Sequence, residues 1–147
     1  MELGDNKTLK ALTVQPGSVY RMRFYPSDGV TPKNAGDTFR DKYFVILGKD
    51  AEGNYVALSL INTEINDNLK SVIGPWQYSI AAADYGFLKG KDRFVDCYKM
   101  KETGVGRIVS DGEYIGIVSE NDLEAIKKLV VGSPVASVAK MKQYGLL

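Results

Sequence analysis

Residues 42–48 read Lys-Tyr-Phe-Val-Ile-Leu-Gly and residues 55–61 read Tyr-Val-Ala-Leu-Ser-Leu-Ile. Between them runs Lys49-Asp50-Ala51-Glu52-Gly53-Asn54, a stretch dominated by polar and turn-forming residues. Two β-prone apolar segments joined by such a link form a hairpin. In the first segment apolar side chains follow one another without alternation. That pattern fits a central strand covered on both faces. Everything else in the chain has to be arranged around this pair.

Upstream, residues 18–25 alternate. Val19, Tyr20, Met22 and Phe24 stand against Arg21 and Arg23, and Pro26 ends the run. This predicts a first strand. Residues 1–15 are expected to be a loose lead-in, closed by the turn signal Pro16-Gly17. Residues 26–37 carry two prolines and two glycines and predict a long loop, of the kind that is often functional or mobile. Downstream, residues 62–74 read as loop or short helix, 75–81 as a candidate strand, and 93–101 as a strand. Thr103-Gly104-Val105-Gly106 reads as a turn, and 107–109 as a short strand. Residues 114–118 read as strand or lead-in.

The C-terminal part changes period. Ser119 is a good N-cap, and Glu120 and Asp122 suit the positive end of a helix. Leu123, Ile126, Leu129 and Val130 then recur at helical spacing, which predicts a helix over 119–131. Ser133-Pro134 predicts a second helix over 134–144, with Val135, Val138, Met141 and Tyr144 as its apolar side. Several short strands followed by helices argue for one mainly β domain over 16–147, a small curled barrel with C-terminal helices. No β-α alternation is present, so a Rossmann or P-loop fold is not expected.

Composition narrows the chemistry. The 147 residues contain no histidine and one cysteine, and the net charge is +1. Ser-His-Asp and Cys-His catalysis are excluded, as are most zinc sites. Cys97 has no partner for an internal disulfide and lies in a strand-like run, where a small buried apolar role fits it best. Asp84, Asp92 and Asp96 lack the alternate-position pattern of an ordered cation loop, so no metal and no cofactor is expected. No apolar run reaches the length of a membrane span, and Met1-Glu2-Leu3-Gly4-Asp5 is not a signal sequence. A cytoplasmic protein without membrane contact is expected.

Hairpin pairing sets the start of one strand beside the end of the other. That would bring Arg40 and Lys42 near Asn62 and Thr63. A cation beside a hydroxyl can stabilise a pentacovalent phosphate without histidine. The bland alternative is a surface ion pair at a loop end. On the first strand, Arg21 and Arg23 interleave with Tyr20 and Phe24, a pattern that either holds single-stranded nucleic acid or simply divides a solvated face from a core face.

In this order of elements the chain resembles the MazF/PemK-type toxins, whose fold is an SH3-like β-barrel with helices. The stretches that carry the resemblance are Pro16-Gly17-Ser18-Val19-Tyr20-Arg21-Met22-Arg23-Phe24-Tyr25-Pro26, the loop from Ser27 to Lys33, Lys42-Tyr43-Phe44-Val45-Ile46-Leu47, Asn62-Thr63, the run from Arg93 to Met100, and Glu120 to Val130. The resemblance implies metal-independent cleavage of single-stranded RNA through attack by the ribose 2′-hydroxyl. It places Thr63 at the hydroxyl position and Lys42 or Arg40 at the cation position; Arg21, Arg23, Asn62 and Ser27 are the candidate substrate-binding residues. It also implies a homodimer and an antitoxin partner. The chain departs from the family's arginine-proline step, since Asp41 follows Arg40 and Tyr43 follows Lys42. A non-catalytic module that binds protein or nucleic acid on the same barrel is the alternative reading.

Overall fold

The computed structural model describes residues 13–65 and 67–147. Most of the expected lead-in, residues 1–12, lies outside the described residues. Its end is not loose: Val14 is buried among Tyr20, Phe24 and Ile108.

Seven strands form one sheet: β1 (Ser18–Phe24), β2 (Arg40–Lys49), β3 (Tyr55–Asn62), β4 (Gln77–Ile80), β5 (Arg93–Asp96), β6 (Lys101–Gly104) and β7 (Glu113–Ile117). Every pairing is antiparallel, and the order is β4-β5-β3-β2-β1-β7, with β6 also on β3. The end strands β4 and β7 do not pair, so the expected barrel is not closed and the sheet is open. The β2–β3 hairpin stands at its centre. Its turn is fastened by the Asp50 carboxylate, which accepts the Asn54 and Tyr55 N–H groups at 2.9 and 3.3 Å. Leu47 is an extra residue between Ile46 and Gly48, a bulge that adds local twist.

Each face of the hairpin carries its own core, because successive side chains point to opposite sides. On one face Phe44, Ile46, Val56, Leu58 and Leu60 meet Tyr20, Met22 and Phe24, and helix α2 (Val105–Asp111) covers them with Ile108. On the other face Val45, Leu47, Ala57 and Ile61 meet Val19 and Val95. Helix α3 (Glu120–Gly132) covers these with Leu123, Ile126 and Val130. The Ser119 hydroxyl accepts the Asp122 N–H, so the expected cap is present. Helix α1 (Lys70–Ile73) is a single exposed turn.

Three local expectations need correction. Residues 107–109 are helical, not extended, and Gly104-Val105-Gly106 joins β6 to α2 instead of turning a hairpin. Val105, Ile108 and Val109 face the core together at helical spacing. The run 93–101 is not one strand. β5 and β6 lie end to end along one side of β3, and residues 97–100 leave the sheet between them. The Asp96 carboxylate accepts the Tyr98 N–H at 3.0 Å, and the Cys97 N–H turns to the Trp76 carbonyl at 2.9 Å. The last helix, α4 (Val138–Gln143), begins later than residue 134, capped by Ser137. Ser133 is held by the Tyr98 carbonyl instead, and Val135 and Val138 are exposed while Met141 and Tyr144 are buried.

Candidate functional site

Beyond its last paired rows, the β2–β3 hairpin opens into a pocket of about 250 Å³ lined by Arg21, Arg40, Asp41, Lys42, Tyr43, Ile61, Thr63 and Arg93. Arg40, Lys42 and Thr63 therefore share one cavity. They do not share one face. Asn62 pairs with Phe94 and Tyr43 with Ile61, so Lys42 and Asn62 fall on one side and Thr63 on the other. Lys42 is only 8 % exposed, and its ammonium donates to the Asn62 side-chain carbonyl.

Charge in this corner is unbalanced. Burial pushes the Lys42 amine down to about 8, and the nearby Arg40 and Arg93 charges push the same way, with Asp96 opposing. Asp96 is occupied by neutral donors, the Gln77 side-chain amide at 2.9 Å and the Tyr98 N–H. Among the described residues neither Arg40 nor Arg93 forms an ion pair, and the Arg93 Nε is buried without a hydrogen-bond partner. The Arg93 guanidinium instead sits 5.0 Å from the Tyr43 ring centroid. Three cations near one another, none of them in an ion pair among the described residues, make the potential in this corner positive.

The other expected residues divide. Arg21 reaches the same pocket, but its guanidinium is tied to Asp41 at 2.9 Å. Arg23 approaches Asp41 at 4.0 Å and lies 3.6 Å from the Phe39 ring centroid. Ser27 does not join them. It lines a separate cavity of about 560 Å³ beside Asp28, whose carboxylate is gripped through both oxygens by Arg107 at 2.8 and 2.9 Å. That grip holds the Asp28 carboxyl below the usual range and pins the start of the long loop. Cys97 is fully buried, and burial raises its thiol to about 12, which leaves it inert. Arg93 was not foreseen as a site residue: nothing in its neighbourhood of the sequence tells which side of β3 it joins.

No protein-family model matches the chain. No curated protein matches it either. Among solved structures, a chain in the crystal structure of MazE-MazF from Deinococcus radiodurans superposes with a TM-score of 0.54. The match covers 84 % of this chain and 97 % of that one, at 12 % sequence identity. The fold is MazF-like. At this identity the likeness concerns backbone architecture and leaves the side chains to be argued on their own. On this sheet Arg40 and Arg93 are half-buried beside the buried Lys42. No described helix is long and apolar enough to cross a membrane.

Proposed function

We propose that this protein is a toxin of the toxin-antitoxin type that cleaves single-stranded RNA without a metal ion. One observation carries the reading: Arg40, Lys42 and Arg93 crowd around a pocket that also holds Thr63, with no acid paired to them among the described residues. A phosphodiester supplies the missing negative charge. In the reaction the ribose 2′-oxygen bonds to phosphorus and the bond from phosphorus to the 5′-oxygen breaks. The 2′-proton passes to water, and the Lys42 ammonium, acidified by its surroundings, protonates the departing 5′-oxygen. Arg40 and Arg93 stabilise the doubly charged phosphorane, and Thr63 donates to a non-bridging oxygen. The products are a 2′,3′-cyclic phosphate and a 5′-hydroxyl.

The likeness to a chain of a MazE-MazF complex supports the same reading and, with it, a homodimer and an antitoxin partner; a cytoplasmic location belongs to the same proposal. The test is incubation of the purified protein with mixed single-stranded RNA in excess EDTA. Cleavage that drops at least a hundredfold in Arg40→Ala, Lys42→Ala and Thr63→Ala is expected. No cleavage, or equal cleavage by all three variants, would overturn it. One observation favours a non-catalytic binding module instead: Lys42 is buried and its ammonium is already held by Asn62. Under that alternative, a module that binds protein or nucleic acid, RNA stays intact in the same experiment.

A further inference from the structure

The sheet face that carries Thr63 is only half covered. Helix α3 and the turn Gly86–Leu88 bury Val19, Val45 and Ile61, and this cover ends at a rim of partly buried Tyr43, Phe87 and Ile115. Past the rim lies a second hollow of about 410 Å³, lined by Arg21, Tyr43, Phe87, Lys89, Glu113, Tyr114 and Ile115. Arg21 and Tyr43 line both this hollow and the Thr63 pocket, so the two run together.

Two details make this hollow more than a gap beside the helix. Lys89 has φ +55°, the one non-glycine residue with positive φ among the described residues. A lysine there is strained where the adjacent Gly90, at φ +79°, is not. The exposed side chain contributes nothing to the core, and strain retained at such a position points to a use for it. Phe87 is set by close packing. Gly116 on β7 leaves room for its ring, and a Cβ at Gly116 would come within 2.8 Å of it. Tyr85 flanks the ring at 5.3 Å. A fixed aromatic ring, a strained lysine and an arginine around one hollow form a stacking platform with cations at its edge. Together the two hollows hold five cationic residues against Asp41 and Glu113; the Arg21–Asp41 pair uses one of each, which leaves Arg40, Lys42, Lys89 and Arg93 against Glu113.

We propose that the Phe87–Lys89 hollow is a nucleotide subsite, holding the residue of a single-stranded RNA next to the phosphate in the Thr63 pocket. The base stacks on Phe87 and Tyr43, and its phosphate meets Lys89 and Arg21. This inference rests on the RNA reading above, but on binding alone and not on cleavage. It is tested with a fluorescent 2′-O-methyl oligonucleotide pool, which cannot be cut, titrated by anisotropy over a salt series. Lys89→Gly removes the charge and relieves the backbone strain, so the fold survives. It is expected to weaken binding about threefold to tenfold and to flatten the salt slope by about one. Phe87→Leu keeps the apolar packing and removes the ring, with an expected loss of about tenfold. Wild-type affinity and salt slope in both variants would overturn the subsite, whether or not RNA is cleaved. Failure of the wild type to bind any oligonucleotide would overturn it too, and would leave the hollow to a protein segment. Binding lost in the variants, beside a wild type that leaves unmodified RNA intact, would retain the subsite and remove the nuclease.

Discussion

Keeping an ammonium at Lys42 is costly. In the unfolded chain its amine titrates at the ordinary 10.5, and in the folded protein at about 8. Between these values the unfolded chain holds a proton that the folded chain has released. Stability therefore rises with pH across that interval, and below about 8 the full penalty applies. Lys42→Met is expected to be more stable than wild type at pH 7, by about 1–3 kcal/mol, with the gap closing toward pH 10. Melting curves across that range check this; a gap that widens with pH would contradict it. The same group sets a limit on rate: if its ammonium protonates the 5′-oxygen, cleavage slows as pH passes about 8. Cys97 gives a simpler expectation. A thiol reagent should label the native protein only as fast as the protein opens, and both rates can be followed together. At this scale the hairpin made Arg40, Lys42, Asn62 and Thr63 legible as neighbours, because antiparallel register needs only the turn to be known. Arg93 and Lys89 come from segments whose position depends on the whole fold, so local pattern holds no trace of them.

Elements with a strong period were readable, and elements framed by glycine were not. Helix α3 announces itself through Ser119 and the spacing of Leu123, Ile126 and Val130. Its cap also supports a wider junction, since Asp122 accepts the Tyr78 hydroxyl at 2.6 Å and the Tyr85 hydroxyl as well. Helix α2 is seven residues between Gly104 and Gly112, and its β-branched Ile108 and Val109 argue for a strand. Core contact decides the matter, which sequence period over so few residues does not. The break between β5 and β6 is equally hidden, because residues 93–101 have strand composition throughout. Gly48 exposes a different dependence. A Cβ there would collide with the Tyr144 carbonyl beyond α4. Gly48→Ala is expected to cost about 1–3 kcal/mol by pushing that segment off the sheet. Urea titration reads the loss, and a variant as stable as wild type would show that the chain end yields freely. Ser119→Ala is expected to cost about 1 kcal/mol by removing the α3 cap, read in the same titration.

For the whole molecule, the two-faced sheet makes the C-terminal segment part of the core. Met141 and Tyr144 are buried against the same cluster as Val45 and Leu47. A chain ending at Ser137 is expected to lose about 4 kcal/mol or more, seen as a lower denaturation midpoint or as loss of a cooperative transition. Overall architecture was legible as mainly β with terminal helices, since the strand-like periods dominate up to residue 118 and the helical period of Leu123, Ile126 and Val130 begins only after Ser119. Closure was not, because whether β4 meets β7 depends on accumulated twist that no segment encodes alone.

One feature of this sheet bears on how the protein is born. β3 is bordered by β2 on one side and by β5 and β6 in tandem on the other. During synthesis the first ribbon can zip as soon as Asn62 clears the ribosome. The far edge of β3 then waits, with its backbone donors and acceptors bare, until residues 93–104 emerge to fill it. A pause in translation between those points would leave nascent chains able to stitch to one another, and chaperone demand would peak there.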